Sequence, residues 1–252
     1  VALNIRNRRG MPVSDLDPVQ LTAELAYAFE DSPELAIPMT YYVQPEPKYD
    51  LPRAAAKIID GKLDDWNELS HSLKTEDADD LNVQFDLSYD KDYVYAVVKV
   101  LDDEMVTQKG GSVWTQDMAG IVLNAAPTQK SAMEKGDDWY TESVLVLAMP
   151  EGKGREAQFY PDDRPLEGLQ KAAKVIDGGY VLEVAVPMSY IEERQGKNWK
   201  TVRFNIRIED FDGEKHNGLW FQPEWRSGEN RVGSGMFFRD LKPTMDGSSG
   251  ER

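Results

Sequence analysis

The sequence predicts an all-β protein, an antiparallel two-sheet β-sandwich of immunoglobulin-like or jelly-roll type with an N-terminal extension. Three observations predict it. Apolar and polar residues alternate with period two through Leu81, Val83, Phe85, Leu87 and Tyr89, through Tyr180, Leu182, Val184 and Val186, and through Val202, Phe204, Ile206 and Ile208, so each segment has one face to bury. The runs 93–101 (YVYAVVKVL) and 142–149 (ESVLVLAM) are apolar on both faces, as central strands are. Tight-turn residues punctuate these segments at Asp90-Lys91-Asp92, Asp177-Gly178-Gly179 and Asp212-Gly213. Many short strands separated in this way make a sandwich.

In chain order, residues 1–51 form an arm. Residues 21–30 (LTAELAYAFE) alternate Leu21, Ala23, Leu25, Tyr27 and Phe29 as a strand does, although Asp17-Pro18 would also cap a helix carrying Leu21, Leu25 and Phe29 on one face. Taken as a strand, the segment pairs with 35–43 (LAIPMTYYV) across the turn Asp31-Ser32-Pro33, and a Pro-rich linker (44–52) follows. A hairpin alone is marginal in water, so the arm is expected to pack on the sandwich or on a neighbouring domain. The sandwich occupies 52–243, with Leu81, Val83, Phe85, Val184, Phe204 and Ile206 in one core. Pro187 ends a strand, and 188–194 (MSYIEER) is a short helix with Met188 and Ile191 on one side. Residues 244–252 lack apolar periodicity and are expected to be a disordered tail.

Composition excludes several functions. The 252 residues carry a net charge of −16, which repels a phosphate backbone and an anionic membrane face, so nucleic acid is not a partner. No run reaches the roughly 18 apolar residues of a spanning helix, so no membrane insertion is expected. The first residue is Val1 rather than Met, as in a processed or excised piece of a longer polypeptide. With no Cys there is no thiol nucleophile, thiolate metal site or disulfide. Only His71 and His216 could supply imidazole, both in polar stretches, and no nucleophile elbow or phosphate loop occurs; the chain is therefore expected not to be an enzyme.

Six segments occur in a fixed order: IIDGKLDDW (58–66), DYVYAVVKVLDD (92–103), VWTQD (113–117), GGYVLEVAVP (178–187), FNIRIED (204–210) and GLWFQPEWR (218–226). Over about residues 52–242 this order resembles carbohydrate-binding module family nine, whose members accompany xylanases and other polysaccharide-active proteins. The resemblance implies a non-catalytic β-sandwich in which two facing indoles clamp a terminal sugar. Trp114 matches the first indole; Trp225, followed by Arg226, matches the second, with Trp220 the next candidate. Sugar C–H faces stack on indole while hydroxyls need planar polar groups, here Gln116 and Asp117, with Arg203 and Asn205 (and Arg207 beside them) on the polar face of their strand. The chain departs from the family at Gly120, where an acidic residue is expected, and along 143–149, which lacks the family's Arg.

Two carboxylate groups suggest calcium, which takes six to eight oxygens: Asp60, Asp64 and Asp65 in the DGKLDDW turn, and Asp102, Asp103 and Glu104 at a strand end. Asp60, Asp64, Asp102 and Asp103 are the expected ligands, and structural calcium also fits the resemblance. DFDGE (210–214) resembles the start of a calcium loop, but Phe221 stands where the closing Glu should be, so it is taken as a turn. The expected function is a carbohydrate-binding module of a larger extracellular or periplasmic protein. Two alternatives stay open: a structural or assembly module that has lost its sugar site, and a b-type haem domain using Met105, Met118 and His216.

Overall fold

The computed structural model describes residues 19–27, 35–43, 46–73, 75, 80–107, 112–127, 142–151, 153–158, 164–213, 215–223, 225–226, 229–230 and 233–241. The tail 244–252, the turn 31–33 and the Asp17-Pro18 pair lie outside them. The chain divides into two compact units, 1–47 and 48–252. In the first, β1 (Val19–Tyr27) and β2 (Leu35–Val43) pair antiparallel, with Leu21 opposite Tyr41 and Ala23 opposite Met39. Period two sets these four residues on one face with Ile37, and the Ile37 and Tyr41 side chains are exposed.

The second unit runs β3 (Lys48–Leu51), β4 (His71–Leu73), β5 (Leu81–Tyr89), β6 (Tyr93–Asp102), β7 (Met118–Asn124), β8 (Ser143–Ala148), β9 (Gly154–Gln158), β10 (Gln170–Ile176), β11 (Gly179–Pro187), helix α1 (Met188–Gln195), β12 (Thr201–Asp212), β13 (Lys215–Trp220), β14 (Trp225–Arg226), β15 (Glu229–Asn230) and β16 (Met236–Arg239). One sheet has the order β10-β11-β6-β5-β4. The other has the order β3-β16-β12-β7-β8-β9, with β13 also on β12. The pairs are antiparallel except β3 with β16, which is parallel. Residues 48–51, expected in the linker, are thus a strand. Fully buried Leu51 joins the core, and the compact unit starts at Lys48 rather than at 52.

Alternation puts Leu81, Val83, Phe85 and Leu87 of β5, Val94 to Val100 at even positions of β6, Leu182 to Val186 at even positions of β11, and Val202 to Ile208 at even positions of β12 into one core. All six core residues named from sequence are there. The rings of Phe85 and Phe204 bridge the two sheets at 5.8 Å.

Both sheets are also covered outside, which is why their central strands are apolar on both faces. On β11, Glu183 is wholly buried. It accepts hydrogen bonds from Trp66 Nε1 (2.8 Å) and from the backbone N–H of Gly61 (2.6 Å) and Asp60 (3.0 Å). Gly61 has φ of +77°, and a Cβ there would lie 2.6 Å from Lys174 Cβ, so the turn needs glycine. Lys57 Nζ lies 4.6 Å above the Trp66 ring. The D-G-x-x-D-x-W turn is therefore a strap over the five-stranded sheet.

Glu183→Ala should destabilise the protein by roughly 1.5–3 kcal/mol or more, because three donors lose a charged acceptor. Urea unfolding measures this; an unchanged midpoint would mean that the strap does not depend on Glu183.

Candidate functional site

At one end of the sandwich the core-facing stripes run from apolar residues into aspartates. On β6 the stripe Val94, Ala96, Val98, Val100 continues to Asp102; on β12, Ile206 and Ile208 continue to Asp210 and Asp212; and Asp117 precedes Ala119, Ile121 and Leu123 of β7. Carboxylate oxygens approach within 4.8 Å of one another in three overlapping groups: Asp102, Asp117 and Asp210; Asp102, Asp103 and Asp212; Asp80, Asp210 and Asp212. Asp117 accepts the backbone N–H of Val106 and of Phe211, the latter at 3.0 Å. Asp102 accepts that of Glu104 at 3.0 Å, and Asn217 donates to Asp210 at 3.2 Å.

Burial dominates the electrostatics. It pushes the Asp117 carboxyl up to about 7 and Asp102 up to about 6, with neighbouring aspartates adding to the rise. Asp210 and Asp212 are raised for the same reason. One carboxylate oxygen each of Asp210 and Asp212, and the Tyr180 hydroxyl, are buried without a hydrogen-bond partner. Tyr180 is itself raised well above its ordinary value by burial and then by the charges of Asp117, Asp102 and Asp210. An all-oxygen donor set with orphaned acceptors fits a hard divalent cation such as calcium.

Of the residues expected to hold it, Asp102 and Asp103 belong to this cluster. Asp60 and Asp64 belong to none of the three groups: Asp60 pairs with Lys62, beside the strap over Glu183. DFDGE, expected as a turn, begins instead as the end of β12, whose Asp210 and Asp212 join these groups. Their even numbering, continuous with Val202 to Ile208, is the signal that both point inward.

VWTQD splits into an exposed indole and a buried anchor. Trp114 is 45% exposed, whereas Gln116 and Asp117 are buried. The Gln116 side chain donates to Ser112 O at 2.8 Å, fixing the turn, so Gln116 and Asp117 serve backbone rather than the surface. The β12–β13 register sets Trp220 opposite Arg207, whose guanidinium lies 4.6 Å from the Trp114 ring centroid and 5.1 Å from that of Trp220. Glu209 accepts from Arg207 Nε and pairs through its other oxygen with His216.

Trp225 differs from expectation, being 1% exposed. It packs on Met118, Val122, Leu145 and Leu147, the outward apolar residues of β7 and β8, which need a cover. The Arg203 guanidinium lies 4.2 Å from its ring centroid and donates to Ser234 O (2.8 Å) and Oγ (2.7 Å). The Asn205 amide donates to the carbonyls of Trp225 (2.8 Å) and Gln222 (3.0 Å) and accepts the Gln222 N–H (2.8 Å). Arg203 and Asn205, expected at a sugar, thus fasten Gln222, Trp225 and Ser234 to the sheet. The Arg226 side chain lies outside the described residues. Of the haem candidates, Met118 is wholly buried in the Trp225 cluster, Met105 packs on the main core, and His216 is bonded to Glu209 and stacked on Phe211 at 4.2 Å.

The second unit is thus a two-sheet sandwich that carries an exposed loop indole and a carboxylate cluster. The sequence profile of the carbohydrate family 9 binding domain-like family matches residues 59–226, and the chain belongs to that family. It is 22% identical over 185 residues, 70% of its length, to endo-1,4-beta-xylanase C of Paenibacillus barcinonensis, and spans only 16% of that protein. A family 9 carbohydrate-binding module from Caldicellulosiruptor kristjanssonii, solved in complex with cellotriose, superposes with a TM-score of 0.55 at 13% identity, covering 82% of this chain and all of that one. Its glucose complex gives a TM-score of 0.55 at 14% identity, covering 80% of this chain and all of that one. These two likenesses are of fold.

Two outcomes follow from the burial pattern. With a chelator present, Asp117 and Asp102 hold protons in the folded state that the unfolded chain releases near pH 4. Their contribution to stability is therefore full below about pH 4 and is lost as pH rises to about 7, so the melting temperature should fall across that window; a rise attributable to these groups would contradict their burial as acids. Trp225→Ala should cost about 3–5 kcal/mol, against about 1 kcal/mol or less for Trp114→Ala. Equal losses in denaturant unfolding would contradict the two environments.

Proposed function

We propose that this chain is a non-catalytic carbohydrate-binding module of a larger extracytoplasmic protein, that Trp114 is its sugar platform, and that the aspartate cluster holds structural calcium. The exposure of Trp114, on a loop whose neighbours Gln116 and Asp117 are buried, carries the reading: a large apolar ring is held at the surface by a rigid turn, where it forgoes its own burial. Family membership and the sugar complexes of the two similar modules support carbohydrate as the ligand class. The small share of the xylanase that is matched supports neighbouring domains as partners. Asp80, Asp102, Asp103, Asp117, Asp210 and Asp212 would hold the cation, which would neutralise charge gathered at the end of the core and join β6, β7 and β12 there.

The acidic group expected at Gly120 is missing, and a side chain there would have to displace the Leu147 methyl. A Cβ there would lie 2.7 Å from Leu147 Cδ2 and 3.5 Å from Arg207 Cβ. With that part of the polar rim absent, binding should be weak, nearer millimolar than micromolar, or about 4–8 kcal/mol. A structural module without a sugar site is the second reading, favoured by the burial of Trp225, Arg203 and Asn205.

A fluorescence titration with soluble oligosaccharides separates the two. Saccharide should shift the emission of wild type and not of Trp114→Ala, with the fold intact; no response to a broad sugar set would favour the structural module. Calcium at about a hundred times its dissociation constant should add about 2.7 kcal/mol, raising the melting temperature by about 5–10 °C. Identical melting curves in chelator and calcium would leave the cluster without its cation.

A further inference from the structure

We propose that Arg207 decides which part of a polysaccharide this face accepts. Its guanidinium occupies the space beside Trp114 and Trp220 that a terminal sugar would need, and leaves the open face of Trp114 as a one-sided platform for interior sugars of an extended, uncharged chain. The inference rests on the reading of Trp114 as a sugar platform.

The guanidinium is planar and weakly hydrated, and it stacks on aromatic faces as a sugar ring does. At 4.6 Å and 5.1 Å from the two ring centroids it is in contact with both indoles, and a pyranose cannot take the same contacts until it leaves. It is held from behind. Glu209, 3% exposed, binds Arg207 Nε, and the other oxygen of Glu209 holds His216, whose ring lies flat on Phe211 with 14° between planes. Moving Arg207 aside would withdraw one of the partners of a buried carboxylate, which is costly.

The neighbouring strand is compatible with this placement. Gly120 lies directly opposite Arg207, so no side chain at that position of β7 competes for the arginine's place. The residue that departs from the family pattern and the residue that reaches the indoles are thus cross-strand partners. Trp114 keeps 45% of its surface open with Arg207 over its ring, and that open area is what the proposed chain would stack on. One-sided stacking gives little per sugar, and affinity must accumulate over consecutive units of a chain. The exposed Thr115 next to the ring, and His216, tied to the same arginine through Glu209, offer hydrogen bonds to hydroxyls. Because Glu209 neutralises Arg207 and the chain carries −16 overall, acidic sugars gain nothing here.

The test is calorimetric titration of the full chain in calcium with glucose, xylose and mannose, with the β-1,4-linked hexasaccharide of each, and with each hexasaccharide reduced at its end. Wild type should bind one hexasaccharide at least ten-fold more tightly than its monosaccharide, with no effect of end reduction. Arg207→Ala should gain at least ten-fold for the monosaccharide. Arg207→Ala/Glu209→Gln, which leaves no unpaired buried carboxylate, should do the same and guards against misfolding of the single variant. Equal wild-type affinity for monosaccharide and hexasaccharide, or folded variants that bind monosaccharide no better than wild type, would overturn the role of Arg207 while leaving Trp114 a sugar site. Binding of no sugar by wild type or either variant would overturn the platform reading and this inference with it.

Discussion

The structure depends on how three core stripes end. Strands β6, β7 and β12 bring apolar side chains inward at every second residue, and at one pole the same alternation brings in Asp102, Asp117, Asp210 and Asp212. Like charges within 4.8 Å of one another in a desolvated place resist folding unless they take up protons or a cation. The raised carboxyls of Asp117 and Asp102 express that resistance, and one oxygen each of Asp210 and Asp212 is buried beside them without a hydrogen-bond partner. The pole also positions the candidate site: Asp117, the last residue of VWTQD, is tied to the backbone of Phe211 on β12, which anchors the Trp114 turn to the strand carrying Arg207 and Glu209.

A second constraint concerns the outer faces. The central strands β6, β7 and β8 carry apolar residues outside as well as in, so that part of each sheet needs a cover. The 60–66 strap covers one, fastened by Glu183, and the segment containing Trp225 covers the other, fastened by Arg203 and Asn205. Three polar residues that alternate with core positions are thus spent on holding loops, and the polar face of β12 near Arg203 is not a free surface. What stays open is the stretch around Trp114, Arg207 and His216. There an arginine and a histidine share one buried carboxylate beside an exposed indole.

Period-two alternation and the two continuous apolar runs were enough to find the long strands and the shared core, and the Met188–Ile191 spacing after Pro187 the helix. It could not show which outer faces would be covered, because that depends on loops distant in sequence. Trp114 and Trp225 look alike in sequence, each in a loop near polar residues; only the apolar outer residues Val122, Leu145 and Leu147 call for one of them as a lid. The acidic pole was half legible. Asp102 and Asp103 stood out as a group, whereas Asp210 and Asp212 were set aside for lacking the spacing of a helical calcium loop. The carboxylates of this pole come instead from the ends of separate strands, which no local spacing shows. Counting parity along β12 would have aligned both with the core. The strand at 48–51 was hidden by the flanking Pro47 and Pro52, and its pairing partner is β16, nearly 190 residues away.

The central claim is that the aspartate pole is a charge burden relieved by a bound cation. It is tested most directly by calorimetry of Asp210→Asn/Asp212→Asn, two carboxyls that each have one oxygen without a hydrogen-bond partner, beside wild type, each in chelator and in calcium at pH 7.5. The near-isosteric amides remove two charges, so the variant should melt higher than wild type in chelator and show little response to calcium, while wild type gains on calcium addition. A variant that melts lower than wild type in chelator, or that still gains as much from calcium, would contradict the claim and make these carboxylates ordinary hydrogen-bonding groups of the fold.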